Sequence, residues 1–287
     1  MLIFDKMTIL KYLLIQFYDI IWQKERVMLV SLIEIKDLRK VFEVEDERIV
    51  ALNRINLKIE EGEICCVLGT SGSGKSTLLN ILAGLEKPTL GSVYIDGVDI
   101  CKLNEKQLAL FRQNNLGFVF QSYNLMTTMT AMENVAMPLM FKGVNKRKRD
   151  KMAVRMLKAV KLGNRLNHRP SQMSGGQQQR VGIARAFVSH PKIVFADEPT
   201  GNLDSHTTQE VMEIMINMAR KHHETLMIVT HDRDIAQYAD RIIFLLDGNI
   251  KSDEKNESII KGLTVDSEEK EGKKHEEKKT LSTAVGS

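Results

Sequence analysis

The apolar positions of this chain fall into two rhythms. From Leu32 to Leu38 they alternate with polar residues, and the alternation returns at Val50–Leu52 and Ile55–Ile59, as in strands with one buried and one wet face. Glu63–Leu68 is instead a short apolar run of the kind found in strands covered on both faces. Two more buried runs, Lys192–Ala196 and Thr225–Thr230, lie further along, with helix-like segments between. Leu78–Gly84 reads as a helix soon after the first run, Val93–Ile95 as a return to strand, and Ile242–Leu246 as another strand, ended by Asp247-Gly248-Asn249. Residues 124–170 read as helical, with Met-rich amphipathic segments and a basic stretch at Lys146–Arg149. Buried strands alternating with helices predict an α/β fold, and no internal repeat is visible.

The two ends depart from this order. Leu10, Leu13, Leu14, Phe17, Ile21 and Trp22 fall roughly on one helical face. Residues 1–30 therefore read either as a helix lying on a membrane or partner, or as a functionless extension upstream of a start at Met28. Residues 252–287 mix Lys with Asp and Glu and hold no aromatic side chain. Such a segment buries too little apolar surface to offset its ordering entropy, which predicts a disordered tail. One folded unit is left over residues 31–251.

Composition removes several classes. Apolar residues make up 43% of the 287 and charged residues 27%, as in ordinary globular proteins. The net charge of +4 is too weak to argue for nucleic acid, though it suits work beside an anionic membrane surface. Cys65, Cys66 and Cys101 make no disulfide framework or metal-ligand spacing and read as small buried hydrophobes of a reducing compartment. No stretch reaches the roughly 18 apolar residues of a spanning helix, and no secretory leader pattern is present. A cytoplasmic protein is expected; if it serves a membrane process, another chain crosses the bilayer.

The chemistry begins at Gly69-Thr70-Ser71-Gly72-Ser73-Gly74-Lys75-Ser76-Thr77, a match to G-x-x-x-x-G-K-[ST] set between the predicted strand ending at Leu68 and a helix. Glycines let backbone N–H groups turn onto an anion, and the helix N-terminus adds favourable partial charge. Lys75 would reach the β- and γ-phosphates and Ser76 would offer its hydroxyl to Mg²⁺. At the end of a second buried run, Asp197 can hold Mg²⁺ through water, and Glu198 can orient or deprotonate an attacking water.

Between these lies Ser174-Gly175-Gly176-Gln177, upstream of Asp197. Together they resemble the ATP-binding cassette (ABC) ATPases, with Met173 where the family usually has Leu. The resemblance covers about residues 32–250. It implies a P-loop NTPase cassette with a RecA-like core, an antiparallel β subdomain and a helical signature subdomain at about 122–178. Gln121 is similar to the glutamine that senses Mg²⁺ and the membrane partner. Gly201-Asn202-Leu203-Asp204 resembles the D-loop, although many members have Ser-Ala in place of Gly201-Asn202. His231 resembles the switch histidine of the γ-phosphate. Phe42 sits where the family places an aromatic to stack on adenine, although Val41 and Phe42 also fit a core. The cofactors implied are ATP and Mg²⁺. Ser174, Gly175, Gly176 and Gln177 are expected to act in trans, across a head-to-tail dimer of two copies.

Leu116–Met126, Thr130–Val135 and Ala196–Asp204 are most similar to the MacB/LolD-type subgroup of lipoprotein-release and antimicrobial-peptide export ATPases, and Glu43–Glu47 also fits it. That resemblance implies a separate MacB/FtsX-like permease with few spans and a peripheral location on the inner face of the cell membrane. The Met-rich segment Met126–Met140 would then be either part of a groove for a permease coupling helix or plain core. Ribosome-acting cassettes would carry two cassettes in one chain. DNA-repair ATPases of related fold would insert a long coiled coil before Asp197, and P-loop kinases would lack Ser174–Gln177. The alternative that remains is an ATPase regulating cell-wall enzymes through a related permease without transport.

Overall fold

The computed structural model describes residues 31–44 and 47–256. The N-terminal amphipathic segment and the tail beyond residue 256 lie outside the described residues.

Strands β1 (Ile33–Val44) and β2 (Glu47–Ile59) form an antiparallel hairpin, and β3 (Ile64–Leu68) runs through a loop into helix α1 (Lys75–Leu82). Strands β4 (Leu90–Ile95) and β5 (Val98–Asp99) join the hairpin, in the order β2-β1-β4-β5. Then come α2 (Glu105–Asn115), β6 (Leu116–Phe120), α3 (Ala131–Phe141), α4 (Lys146–Ala159) and α5 (Gly175–Phe187). The chain closes with β7 (Ile193–Asp197), α6 (Ser205–His222), β8 (Thr225–Thr230), α7 (Arg233–Ala236), β9 (Arg241–Leu246) and β10 (Asn249–Lys255). The second sheet has the order β10-β9-β3-β8-β7-β6, parallel from β9 to β6, with β10 antiparallel at its edge.

The unbroken apolar runs are explained by two cores on opposite faces of this second sheet. Ile64 and Cys66 of β3 pack into one core and Cys65 and Val67 into the other. On β7 and β8, Val194, Ala196, Leu226 and Ile228 face the first, and Ile193, Phe195, Met227 and Val229 the second. The first core is roofed by α3, α4, α5 and α6, the second by the antiparallel sheet and α1. Burial pushes the Cys66 thiol up to about 12 and the Cys65 thiol well above its usual range, so both behave as apolar packing.

One expectation needs correction, and one element had no counterpart in the sequence. The charged tail does not begin at residue 252, because β10 continues to Lys255, with Asp253 opposite Ile243 and Lys255 opposite Arg241. A ladder of backbone hydrogen bonds does not require apolar side chains at an edge, and the Arg241 guanidinium fork grips Asp253, with Nη2 donating to Oδ2 at 2.6 Å. Helix α2 was not legible, since among its residues only Leu108 is buried.

The loop before α3 is set by one polar side chain. Asn134 is buried, its Oδ1 accepts from the Met126 N–H at 2.8 Å, and its amide donates to the Met126, Met129 and Thr130 carbonyls. Thr130 and Glu133 cap the same helix reciprocally.

Candidate active site

Strands β3, β7 and β8 end side by side, so their carboxyl ends place three loops together, where ligands bind in open α/β sheets. Their convergence forms a cavity of about 720 Å³, lined by Ile49, Val50 and Ala51 of β2, most of the Gly69–Thr77 loop, and Glu198, His231, Arg233 and Phe244.

Glycines make the loop possible. Gly74 has φ 100°, a backbone conformation that L side chains rarely adopt, and a Cβ there would run into the Ala51 carbonyl oxygen. A Cβ on Gly69 would strike the Leu245 carbonyl oxygen and sit 2.7 Å from Ser73 Oγ. Helix α1 has no side-chain cap, so its first N–H groups open into the loop. Ser73 Oγ is buried with no hydrogen-bond partner. Lys75 is 7% exposed, and its ammonium donates to the Gly69 and Thr70 carbonyls at 2.9 and 2.8 Å. Backbone donors, a buried cation and glycine-only clearance together fit a polyphosphate.

The second wall carries the acid. Glu198 follows β7 in a left-handed conformation, φ 45°, held by its N–H on the Val229 carbonyl at 2.8 Å. A non-glycine residue there is strained, and its side chain lines the cavity. Thr230 Oγ1 donates to Glu198 Oε2 at 3.0 Å, and His231 Nδ1 lies 2.8 Å from Oε1. Burial, then the charge of Glu198, raises the neighbouring Asp197 carboxyl, while Lys75 opposes the shift.

The remaining predicted residues lie around this centre. Gln121 does not line the cavity: its amide reaches Asn202 Oδ1 at 3.5 Å, and Asn202 Nδ2 donates to its backbone carbonyl at 3.0 Å. Phe42 also lies outside the lining; it pairs with Ile49 across the hairpin, with the Lys40 ammonium 4.8 Å over its ring. Ser174 caps α5 in a reciprocal box with Gln177, and this helix start with Gly175 and Gly176 is outside the cavity of its own chain. Asp204 caps α6, and the Thr207 N–H holds its carboxyl below the usual range. Gln179, buried in α5, donates to the Pro199 carbonyl just after Glu198.

Ile49, Val50, Arg233, Phe244 and Thr230 were not singled out from the sequence. Thr230 directly precedes His231 and could have been found by asking what orients the acid. The others are ordinary strand and helix-start residues that only the fold brings to the cavity.

A second, apolar groove of about 630 Å³ is lined among others by Leu85, Phe118, Phe120, Met137, Pro138 and Phe141, together with Arg112 and Arg185. The Phe118 and Phe120 rings stack 5.7 Å apart on its floor. Met126 and Met140 are exposed and Met137 lines the groove, so these methionines are surface and groove rather than interior core.

Residues 52–201 match the family described as ABC transporter. The chain is 49% identical over 222 residues to the macrolide export ATP-binding/permease protein MacB of Brucella melitensis, covering 77% of this chain and 34% of that protein. It thus spans about a third of the MacB relatives' length. It is 46% identical over 223 residues to the lipoprotein-releasing system ATP-binding protein LolD of Geobacter metallireducens, covering 78% of this chain and 99% of LolD. A solved dimeric structure of the Methanocaldococcus jannaschii cassette MJ0796, in a post-hydrolysis state with ADP and Pi, superposes with a TM-score of 0.73 at 43% identity, over 78% of this chain and 98% of that one.

Proposed function

The chain belongs to the ABC transporter family of ATP-binding proteins, and from that premise we propose that it binds and hydrolyses ATP, closes on it as a head-to-tail dimer, and energises a separate permease in a MacB/LolD-type export or lipoprotein/peptide-extrusion system. The observation that carries this reading is the carboxylate of Glu198, held by Thr230 and His231 on the wall of the cavity whose floor is the phosphate-binding loop.

The chain's own groups divide the work as follows. The Gly69–Thr77 backbone and the N-terminus of α1 bind the phosphates, and Lys75 exchanges its two loop carbonyls for phosphate oxygens. Ile49 and Val50 give the cavity an apolar wall suited to a flat base. Glu198 takes the proton of the attacking water at its carboxylate while His231 and Thr230 fix its orientation. Among the described residues no cluster of three His, Cys, Asp or Glu holds a metal unaided. Mg²⁺ shared with phosphate oxygens needs only one or two protein oxygens. Ser76 and Asp197 would supply them; Gln121, whose amide faces Asn202 outside the cavity, would have to turn inward to join them. Bound there, Mg²⁺ supplies charge neutralisation at the phosphates.

Ser174–Gln177 form a helix start outside their own chain's cavity, exposed at Ser174, half-buried at Gly175 and Gln177 and buried at Gly176. A second copy would present this loop to the γ-phosphate from the opposite side. MJ0796, an ABC cassette, was solved as a dimer, which supports this reading. Among the described residues no helix is long and apolar enough to cross a membrane, so the permease would be another chain. Its short cytoplasmic helix would lie in the groove of Phe118, Met137 and Phe141, placing the protein peripherally at the inner face of the membrane.

The test is purified Glu198→Gln protein with ATP and Mg²⁺. Retained ATP binding, near-zero turnover and a shift from monomer to dimer in light scattering are expected. Turnover at the wild-type rate would end the role given to Glu198. Capture of a few-span membrane protein with this trapped dimer, from solubilised membranes of the native host, tests the permease.

A further inference from the structure

Helix α4 carries seven Lys or Arg and one acidic residue, Asp150, so its charge exceeds the +4 of the whole chain and the remainder is net negative. The charge is sorted by face. Ala153, Met156 and Leu157 are buried against the helical layer, while Arg147, Lys151, Arg155 and Lys158 recur along the opposite, exposed stripe. Among the described residues, these four and Lys148 have no acidic partner within ion-pair distance; Asp150 is taken by Lys146 at 2.6 Å and approached by Arg149 at 4.0 Å.

The placement is electrostatically unfavourable from within. Lys146, Arg147 and Lys148 occupy the first turn, where no acid stands and where the helix macrodipole disfavours cations. By contrast, α2 and α3 start with Glu105 and Glu133 in that position. Only Asn145, capping the Lys148 N–H at 3.0 Å, satisfies the helix start. A concentrated, self-repelling basic face of this kind gains stability from an external anionic surface.

The position names that surface. Phe141, 66% exposed, ends α3 and lines the apolar groove, and α4 begins five residues later. Met137 lines both the groove and the adjoining cleft that contains Lys146 and Arg149. The basic end of α4 therefore borders the groove assigned above to a membrane permease. We propose that the exposed face of α4 is a docking surface for the anionic phospholipid headgroups around that permease. The inference rests on the ATPase-subunit reading for its orientation, while the charge pattern stands independently of it.

The experiment is flotation of the full chain with vesicles of phosphatidylcholine alone and of phosphatidylcholine with phosphatidylglycerol, at low and high salt. Two variants are compared with the wild type: Arg147→Gln/Lys151→Gln/Arg155→Gln/Lys158→Gln, and a control of equal charge change, Lys36→Gln/Lys58→Gln/Lys251→Gln/Lys255→Gln. Salt-sensitive binding to the anionic vesicles only, weakened at least about tenfold by the α4 changes and at most about twofold by the control, is the expected result. Equal loss in both variants, or binding kept in both, overturns the assignment to α4. Binding to duplex DNA that the α4 changes abolish, without vesicle binding, overturns the lipid in favour of nucleic acid. ATP turnover is measured alongside: an α4 variant with wild-type turnover but lost flotation supports the inference. A wild type that floats but does not turn over ATP fails the functional reading and leaves the lipid surface standing.

Discussion

Strands β7 and β8 carry a glutamate–histidine pair at each end. At their carboxyl ends, Glu198 after β7 meets His231 after β8 at 2.8 Å. At their amino ends the roles are exchanged: Glu224 before β8 meets His190 before β7 at 3.2 Å. The first pair opens on the phosphate-loop cavity, and Thr230 gives the acid a second donor. The second is closed in: Glu224 is 4% exposed, its Oε2 has no hydrogen-bond partner, and burial pushes its carboxyl up to about 8. The same two residue types thus perform opposite tasks. Where the strands end on a cavity, the acid faces substrate with both oxygens held; where they begin, its carboxyl is desolvated and acts on stability alone.

The largest effects should separate the two ends by activity. Glu198→Gln is expected to lower ATP turnover by about 10²–10⁴-fold with little change in thermal stability, whereas Glu224→Gln should leave turnover within about twofold in the same steady-state phosphate-release assay. Comparable losses from both would dissolve the distinction. His231→Ala comes next. It removes a hydrogen bond to the acid and should cost turnover roughly 10–100-fold while ATP affinity changes little. An equal loss of affinity and rate would instead make His231 a binding residue.

The two ends also differ in how they could be read. The phosphate loop is legible because its work is done by consecutive backbone groups, so glycines, Lys75 and Ser76 must stand in one short string. Glu198 was readable because a buried run leads straight into it. The two-faced core behind Cys65 and Cys66 follows from the same unbroken runs, whereas the order of the strands in the sheet does not. The amino-end pair was not readable: His222-His223-Glu224 looks like any wet loop, and the partner of the carboxyl, His190, comes from the distant α5–β7 connection. The groove resisted for a related reason, being assembled from segments as distant as Leu85 and Arg185. Strand β10 was hidden by its own charges, and Ile49 and Val50, which line the cavity, belong to no motif.

A third, smaller effect sharpens the contrast through pH. Below about pH 4.5 the Glu224 carboxyl is protonated in both folded and unfolded chains. Between 4.5 and about 8 the unfolded chain has released a proton that the folded chain still holds. Stability therefore falls as pH rises through that window and levels off above it. Glu224→Gln keeps the shape and removes the titration. Its urea midpoint should vary less between pH 5 and 8.5, and at pH 8.5 its unfolding free energy should exceed that of wild type by about 2–4 kcal/mol. Coincident wild-type and variant curves at every pH would mean that the carboxyl is solvated.

The smallest effect should come from His190→Ala, because the ring is half exposed and water competes for its hydrogen bond. The expected loss is below about 1 kcal/mol near neutral pH. Its direction in pH is more informative than its size. His190 Nδ1 is the hydrogen-bond partner on Glu224 Oε1, and Oε2 has none, so removing the ring leaves the ionised carboxyl without any side-chain donor. The charged form is then disfavoured further, and the pH at which stability levels off should move up from that of the wild type. The Glu224→Gln/His190→Ala double variant should show neither the slope nor the shift. If His190→Ala moved the slope to lower pH, the ring would be raising the carboxyl rather than supporting it, and the two ends of β7 and β8 would differ in sign as well as in exposure.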